Sequence, residues 1–408
     1  MSNLDSKRIL IIAAEASGVL YAERLMEYWQ SNKKNYFYFG VGSRKMETLG
    51  FNCFGRAEEM AVVGFVEVLK HYSHIKSVFN NICEEIKKNP PSVAVLIDYP
   101  GFNLRLAKIL HQYKVPVVYY ISPQVWAWKQ DRVYTIKKYV SKMLVVFPFE
   151  EEFYKKFDVP VEFVGHPLMD ELSLVSNKDL NNPLEIAKQR ARMGIPVSAK
   201  VLGLMPGSRD SELDKILPTQ IEVVNQLKKN HPNVFVIIMV APTYSKEQIK
   251  DRLEELKIPY LLFKDEPFKM IRLADAVLAA SGTATLMVGL LEKPMVIIYK
   301  VNFLTAFVGR RIVKGFFGLV NLIFQKEIVP ELFQENAVPE KIIPLLEKAL
   351  FDEPYRSEVI QNLQLLKSKL MFQEQSDVEH LFLNETVTAR VAKNIEQFIF
   401  ESTKDKKS

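Results

Sequence analysis

The sequence Val201-Leu-Gly-Leu-Met205 is an apolar strand pattern that runs directly into Pro206, Gly207, Ser208 and Arg209. The pattern recurs at Ala276-Val-Leu-Ala-Ala280, which runs into Ser281, Gly282 and Thr283. Helices that start at such turns present free backbone N–H groups and a positive dipole end to anions. Arg209 adds a forked cation that can hold a diphosphate. The two turns therefore predict a nucleotide-diphosphate site in the second half of the chain.

Short apolar runs alternate with amphipathic helical patterns on both sides of a polar stretch at 177–196, which we interpret as the crossing between domains. Such alternation is typical of parallel sheets covered on both faces. We therefore expect an α/β protein with two doubly wound, Rossmann-like domains and ligands at the carboxyl ends of the strands, in a central cleft. The predicted strands are Ile9–Ala13, Tyr36–Val41, Val93–Ile97, Val115–Ile121, Met143–Phe147, Val161–Val164, Val201–Met205, Val234–Val240, Tyr260–Phe263, Ala276–Ala280 and Met295–Tyr299.

Composition narrows the class of protein. The chain has 408 residues, enough for two domains with their own cores. Its formal net charge of +6 fits an anionic partner such as a nucleotide or an acidic lipid surface, and no basic and aromatic stripe indicates nucleic acid. The two cysteines have no metal-ligand spacing and favour a reducing setting. Glu15 interrupts the first apolar run, which predicts a strand instead of a signal peptide, and no apolar stretch is long enough to span a membrane.

Two acidic residues follow predicted strands in the first half. Asp98 comes directly after Val93–Ile97 and precedes a Pro/Gly turn, where it could act as a general base or simply cap a helix or turn. Glu15 follows the first strand and is succeeded by Ser17 and Gly18, small residues that let another molecule approach the backbone. A structural salt bridge is the alternative for Glu15.

A tryptophan-containing segment follows the strand that ends at Ile121. It reads Ser122-Pro-Gln-Val-Trp126-Ala-Trp-Lys129. Aromatic rings beside a cleft can stack on a sugar or an acyl chain, and more commonly they pack between structural elements. His166 follows the last strand of the first half, and its position favours a structural hydrogen-bonding role over catalysis.

A cationic and aromatic stretch lies at 299–325. It contains Lys300, Arg310, Arg311 and Lys314 among several phenylalanines, without any Asp or Glu. Aromatic rings with unopposed cations suit an anionic membrane surface. The alternative is a buried helix with a cationic rim.

Motifs along about 300 residues resemble those of the lipid A disaccharide synthase family, in the same order. The most specific is the tryptophan-containing segment; Ser-Gly-Thr-Ala alone would be weak. The matching segments are Glu15–Gly18, Met60–Leu69, Ile97–Asn103, Ser122–Trp128, Phe147–Glu150, Gly165–Pro167, Pro206–Arg209, Ser281–Ala284 and Val320–Leu322.

The resemblance implies a GT-B glycosyltransferase. Such enzymes join UDP-2,3-diacylglucosamine to 2,3-diacylglucosamine 1-phosphate (lipid X) with inversion, giving a β-1,6 disaccharide and UDP in lipid A biosynthesis. The implied domains are an acceptor domain at 1–175, a UDP-sugar domain at 198–385, and a terminal helix at 386–402 that packs back on the first domain. The implied location is peripheral, on the cytoplasmic face of the inner membrane, and a homodimer is left open.

The resemblance also implies roles for individual residues. Asp98 would be the base for the acceptor hydroxyl, with Glu15 beside the substrates. No metal ion or cofactor is expected, since arginine and helix N-termini would stabilise the leaving diphosphate. The implied UDP-sugar residues are Gly207, Ser208, Arg209, Ser281, Gly282, Thr283 and Asn321, and the implied acceptor or lipid residues are Ser17, Gly18, Trp126, Arg310 and Arg311.

Three positions depart from the family pattern. Ala14 and Val19 stand where the family usually has Gly and Asp, and Met287 stands where GT-B enzymes commonly have a Glu that binds the nucleotide ribose. Loss of that carboxylate is expected to weaken donor binding by about 1.5–3 kcal/mol per charged hydrogen bond. The chain is therefore a divergent enzyme or a non-catalytic UDP-sugar or lipid-binding paralogue, and the retained Asp98, Arg209 and Asn321 favour the enzyme.

Overall fold

The computed structural model describes residues 7–60, 65–126, 129–174, 182–242, 244–264, 266–300, 315–372 and 385–404, without the side chains at 16, 65–72 and 401–404. The chain divides into two compact units. The first unit comprises Met1–Asp170 and Leu370–Ser408, and the second comprises Glu171–Lys369.

Strands and helices alternate through most of the described chain. The strands are β1 (Lys7–Ala13), β2 (Tyr36–Gly42), β3 (Asn52–Arg56), β4 (Val93–Ile97), β5 (Val117–Tyr120), β6 (Lys142–Val145), β7 (Val161–Phe163), β8 (Lys200–Met205), β9 (Val234–Val240), β10 (Tyr260–Lys264), β11 (Ala276–Ala280), β12 (Met295–Tyr299) and β13 (Glu331–Phe333). The helices are α1 (Ala16–Ser31), α2 (Arg44–Thr48), α3 (Ala57–Met60), α4 (Phe65–Lys88), α5 (Pro100–Gln112), α6 (Arg132–Tyr139), α7 (Pro148–Lys155), α8 (Leu168–Leu174), α9 (Pro183–Arg192), α10 (Asp210–Asn230), α11 (Lys246–Asp251), α12 (Pro267–Leu273), α13 (Ala284–Leu290), α14 (Leu319–Phe324), α15 (Pro339–Phe351), α16 (Glu353–Leu370) and α17 (Val387–Lys404).

The first unit is built on a parallel sheet of seven strands in the order β3-β2-β1-β4-β5-β6-β7. From β1 the chain adds strands on one side, then returns to place β4 on the other side. This reversal makes the β1/β4 boundary the switch point of the sheet, where open α/β folds bind ligands. Ala13 pairs with Ile97 at this boundary, so the segments after the two strands leave the same edge side by side.

Two apolar layers cover the first sheet, because alternate residues of each strand point to opposite faces. Leu10 and Ile12 belong to one buried cluster, and Ile9 and Ile11 belong to the other. The terminal helix α17 completes the second cluster with Val391, Ile395 and Ile399. It is fixed to α1 by a hydrogen bond of 3.1 Å from Trp29 Nε1 to Glu396 Oε1.

The second unit is built on a parallel sheet of six strands in the order β10-β9-β8-β11-β12-β13. Its switch point is the β8/β11 boundary, where Met205 pairs with Ala279. A buried cluster that includes Leu204, Ile238 and Leu278 packs against α10 and α15 through Ile216 and Leu346. Both units therefore have the same topology, a doubly wound parallel sheet in which two neighbouring strands end side by side at the switch point.

All strands predicted from apolar runs are present in the structure. Two edge strands, β3 and β13, were not predicted, because both are short and carry few fully buried side chains. The polar stretch interpreted as the domain crossing contains α9, which belongs to the second unit. Arg190 anchors that helix by donating to the Leu273 carbonyl at 3.0 and 2.7 Å, a contact that a count of polar residues does not reveal.

The division between units also differs from the sequence boundaries. The second unit begins at Glu171 and ends at Lys369, whereas the boundaries expected from the sequence were 198 and 385.

Among the residues that the structure describes, no helix is long and apolar enough to cross a membrane.

Packing of α17 gives a stability prediction. Ile395 is fully buried in the first unit, so we expect Ile395→Ala to lower the free energy of unfolding by about 2–4 kcal/mol, through lost burial and a cavity. Gln397→Ala, an exposed change on the same helix, should alter it by less than about 0.5 kcal/mol. Urea denaturation of both variants measures the difference, and equal effects would contradict the described packing.

Candidate functional site

Asp98 and Tyr99 form a strained turn at the end of β4. Both residues have left-handed backbone angles, with φ of 46° and 48°, which cost about 1–2 kcal/mol per non-glycine residue. Asn103 Nδ2 donates to the Asp98 carbonyl at 2.7 Å, and the buried Tyr119 hydroxyl donates to the same oxygen at 2.5 Å. These two donors hold a conformation that the backbone alone would avoid. Such strain clusters at functional sites.

The environment of Asp98 disfavours its charged form. Burial is the main cause that raises the pKa of the Asp98 carboxyl to about 7, and the nearby charge of Glu15 raises it further. A hydrogen bond from the Tyr99 backbone N–H opposes both effects. The residue at the N-cap of α5 is Tyr99, so Asp98 does not serve as that helix cap. A carboxyl group with such a pKa exchanges protons readily near neutral pH.

Glu15 occupies the N-cap position of α1, but its side chain caps no helix N–H. Within the described part of the chain its carboxylate forms no ion pair, so the salt-bridge alternative is not realised there. Ser17 is exposed on the first turn of α1. Gly18 allows α1 to pack closely on β4, because a Cβ at this position would lie 3.2 Å from Ile97 Cγ2. Gly18 thus has a clear packing role.

Trp126 lies at the same edge of the first sheet, beyond β5. Its Nε1 donates to Glu150 Oε1 at 3.3 Å, and its ring meets Phe149 edge-on with centroids 5.1 Å apart. Burial raises the pKa of Glu150 to about 8, although hydrogen bonds from the Phe147 backbone and Trp126 oppose the shift. The half-buried Trp126 is therefore held by a buried carboxyl group. Residues 127–128 lie outside the described residues.

His166 is a structural residue at the end of β7. Its Nδ1 accepts a hydrogen bond of 3.2 Å from the Leu168 backbone N–H. Burial lowers its pKa to about 3, so the imidazole is neutral at physiological pH. This geometry agrees with the structural role that its position favoured.

The turn after β8 is shaped around Glu212, which lies in the first turn of α10. Gly207 has a φ of +110°, and a Cβ there would lie 2.7 Å from Glu212 Cβ. The Ser208 backbone N–H donates to Glu212 Oε2 at 2.8 Å. Arg209 is the N-cap of α10, and its side chain is 54% exposed with a long contact of 3.5 Å to Glu212. The guanidinium can therefore reorient toward an anion at little cost.

The turn after β11 lies beside the turn after β8, because the two strands are neighbours in the sheet. Gly282 and Thr283 are exposed, and Ser281 Oγ donates to the Phe317 carbonyl at 3.3 Å. Thr285 Oγ1 donates to the Gly282 carbonyl at 2.8 Å and closes the turn. Hydroxyls, backbone N–H groups and one arginine thus converge on one edge of the second sheet, which is a composition suited to anions.

Further groups lie at the ends of β12 and β13. Lys300 was predicted only as part of the cationic stretch at 299–325, and Tyr299 and Phe333 were not predicted as site residues. Tyr299, Phe317 and Phe333 form an aromatic cluster with centroid distances of 5.9 Å. Lys300 Nζ donates to Thr219 Oγ1 at 2.6 Å, and burial lowers the pKa of its ammonium group. The rule that ligand-binding groups follow parallel strands would have located Tyr299 and Lys300.

The structure contradicts the expectation that Asn321 binds the UDP-sugar, because its side chain does not face a ligand site. It is fully buried, its Nδ2 donates to the Val329 carbonyl at 2.7 Å, and its Oδ1 accepts from the backbone N–H groups of Ile328 and Val329 at 2.7 and 3.0 Å. The hydrogen bonds of this amide therefore fix the loop between α14 and β13.

Arg310 and Arg311 lie outside the described residues. No group of three His, Cys, Asp or Glu side chains in the described ranges could hold a metal ion.

The two doubly wound units have the GT-B fold, and solved structures share it. The kitacinnamycin glycotransferase aligns with a TM-score of 0.58 and 11% identity, covering 97% of this chain and 99% of that chain. The calicheamicin glycosyltransferase CalG4 aligns at 0.55 with 14% identity over 97% and 99%. The UDP-GlcNAc 2-epimerase of Neisseria meningitidis aligns at 0.56 with 11% identity over 97% and 100%.

Sequence comparison narrows the class to a family. Residues 9–384 match the family model described as lipid-A-disaccharide synthetase. The lipid-A-disaccharide synthases of Trichlorobacter lovleyi and Geobacter sulfurreducens are 38% and 37% identical, covering 89% and 91% of this chain and 93% and 94% of theirs. The chain belongs to the lipid-A-disaccharide synthetase family.

The raised pKa of Asp98 predicts a stability effect. Because the folded-state pKa lies above the ordinary value of 3.8, ionisation destabilises the folded state progressively as pH rises from 3.8 through about 7. Asp98→Asn should therefore raise the free energy of unfolding by about 1–4 kcal/mol at about pH 8, and by much less at about pH 5. Denaturant unfolding at the two pH values measures this, and a destabilised variant at the higher pH would contradict the assigned environment.

Proposed function

We propose that the protein transfers 2,3-diacylglucosamine from UDP-2,3-diacylglucosamine to 2,3-diacylglucosamine 1-phosphate, forming a β-1,6 disaccharide and UDP with inversion at the anomeric carbon. Family membership supports the reaction class. The observation that carries the proposal is Asp98, a half-buried carboxyl with a pKa of about 7 on a strained backbone at the switch point of the first sheet.

Asp98 acts as the general base in this proposal. Its carboxylate accepts the proton of the acceptor 6-hydroxyl while that oxygen attacks the anomeric carbon of the donor and the bond to UDP breaks. A general base works best when its pKa is close to the operating pH, and burial together with Glu15 raises the pKa of Asp98 into that range. Asn103 and Tyr119 serve as positioning residues, because they fix the Asp98 backbone.

The second unit supplies the groups that stabilise the leaving diphosphate. Negative charge grows on UDP as its bond to the sugar breaks, so donors aimed at the diphosphate favour the transition state. Arg209 provides a forked cation at the start of α10, a helix of 21 residues whose N-terminus also attracts anions. We propose that Gly207, Ser208, Ser281, Gly282 and Thr283 add backbone and hydroxyl donors on neighbouring turns. The Ser208 N–H would exchange Glu212 for the diphosphate, and the Ser281 hydroxyl would exchange the Phe317 carbonyl. We propose that these groups carry out this role without a metal ion.

The proposed substrates carry acyl chains, so we also propose that the enzyme works at the cytoplasmic face of the inner membrane without spanning it. Ser17 and Trp126 are the proposed acceptor-side contacts in the first unit. A contact of Arg310 and Arg311 with anionic lipid stays a prediction, and so does a homodimer.

The proposal is tested by incubating the purified protein with UDP-2,3-diacylglucosamine and lipid X and measuring the disaccharide by mass spectrometry. Wild-type protein should form it, and Asp98→Asn should reduce turnover by roughly 10²–10⁴-fold, the usual contribution of a general base. UDP affinity should stay nearly unchanged in this variant. UDP binding without any disaccharide from wild-type protein would favour the non-catalytic paralogue.

Arg209 gives a separate prediction for the donor site. Arg209→Ala should weaken UDP binding by roughly 10-fold or more, because the diphosphate loses a charge-assisted, bidentate partner. Arg209→Lys should restore only part of the affinity, since lysine lacks the planar fork. Arg192→Ala, which removes an exposed arginine at the end of α9, is the matched control. Calorimetry that gives equal UDP affinity for the Arg209 and Arg192 variants would remove Arg209 from the site.

A further inference from the structure

A cavity of about 420 Å³ lies in the second unit, at the edge of the sheet opposite to the proposed UDP turns. Asp275 precedes β11 and Pro294 precedes β12, and both line the cavity. Ser281–Thr283 follow β11 at its other end. Since a strand rises about 3.3 Å per residue, the five residues of β11 separate the cavity from those turns by roughly 16 Å.

Most of the cavity wall is apolar. Helix α9, the segment that leads to β8, the end of α13 and helix α16 contribute aliphatic side chains. The aliphatic lining residues are Ile186, Ala187, Ile195, Val197, Leu291 and Ile360.

Charged groups of the cavity floor are mostly engaged with one another. The Asp275 carboxylate accepts the Val201 backbone N–H at 2.7 Å and pairs with Arg190 at 3.0 Å. Arg190 also donates to the Leu273 carbonyl, and Arg356 donates to the Asp275 carbonyl at 3.0 Å. Asp275 and Arg190 thus neutralise each other, and the guanidinium of Arg356 is held by backbone carbonyls and by Glu353.

Lys293 is the exception. Within the described residues its ammonium group forms no ion pair and donates no hydrogen bond, and the neighbouring Glu292 contacts Lys367 at 3.6 Å instead. Burial lowers the pKa of Lys293 to about 8. The groups that face it are Asp275, which raises this pKa, and Arg190, Arg356 and Arg272, which lower it. A surplus positive charge therefore lines a largely apolar cavity, an arrangement that is costly unless an anion enters.

We propose that this cavity is a binding site for an alkyl carboxylate, with its carboxylate on Lys293 and its chain along the aliphatic wall. One surplus cation matches a monoanion better than a phosphate dianion, because both neighbouring arginines already have partners. The aliphatic wall favours a hydrocarbon chain over a small inorganic anion. The site is distinct from the proposed UDP turns, so its occupation does not depend on the proposed reaction.

Isothermal titration of the full chain with octanoate tests the proposal. Octanoate should bind, whereas acetate, which lacks the chain, and octanol, which lacks the charge, should each bind at least tenfold more weakly. A saturating amount of UDP should not displace octanoate. Equal affinity for acetate or for octanol would overturn the amphipathic assignment, and displacement by UDP would overturn the location.

Variants locate the binding within the chain. Lys293→Met should weaken octanoate binding by tenfold or more, and Lys293→Arg should retain most of it. Ala187→Trp, which fills the cavity without touching the charge, should also abolish binding. Lys348→Met removes an exposed cation outside the cavity lining and should bind as the wild type does. Thermal unfolding shows which variants are folded, and unchanged octanoate affinity in folded Lys293→Met and Ala187→Trp would overturn the proposal.

Discussion

The backbone turn at Asp98 and Tyr99 is the constraint on which the first unit's proposed chemistry depends. Two successive left-handed residues turn the chain sharply at the end of β4 and keep the Asp98 side chain in a poorly hydrated place next to Glu15. Asn103 and Tyr119 offset this strain by donating hydrogen bonds to the Asp98 carbonyl oxygen. A carboxylate fully exposed to water at this position would have a lower pKa and would therefore be a much weaker base.

Parallel sheets explain why the candidate groups lie together in each unit. All strands of such a sheet end at one edge, and the reversal of strand order leaves room between two neighbouring turns. In the first unit this brings the segments after β1 and β4 together, and in the second unit it brings together the segments after β8 and β11. The chemistry differs between the units. Acidic side chains follow the strands of the first sheet, whereas glycine, hydroxyls and Arg209 follow the strands of the second.

Patterns that are local in sequence predicted most of this architecture. Buried strands such as Val93–Ile97 are continuous apolar runs. The segment after such a run lies at the carboxyl edge of the sheet, and this rule predicted the positions of Asp98 and Arg209. The edge strands β3 and β13 were not predicted, because they are partly exposed and lack a continuous apolar run. The packing of α9 in the second unit depends on a hydrogen bond from Arg190 to the Leu273 carbonyl, 83 residues further along the chain. No local sequence pattern predicts such a contact.

Asn321 shows why a motif does not assign a role. The residue matches the family pattern, yet its amide is fully used by the backbone of Ile328 and Val329. It supports the loop that leads to β13 instead of facing a ligand. The sequence did not reveal the environment of Glu150 either, because Glu150 follows β6 while its partner Trp126 follows β5. Side-chain environment, unlike strand order, is a property of the tertiary structure.

The most direct test of the central claim is the pKa of Asp98 itself, measured by the carboxyl ¹³C chemical shift during a pH titration of the intact protein. We predict a value of about 7, with burial as its main cause, and a lower value in Glu15→Gln, because that change removes a nearby negative charge. An Asp98 carboxyl that titrates near its ordinary value of 3.8 would contradict the proposed environment and its role as the base.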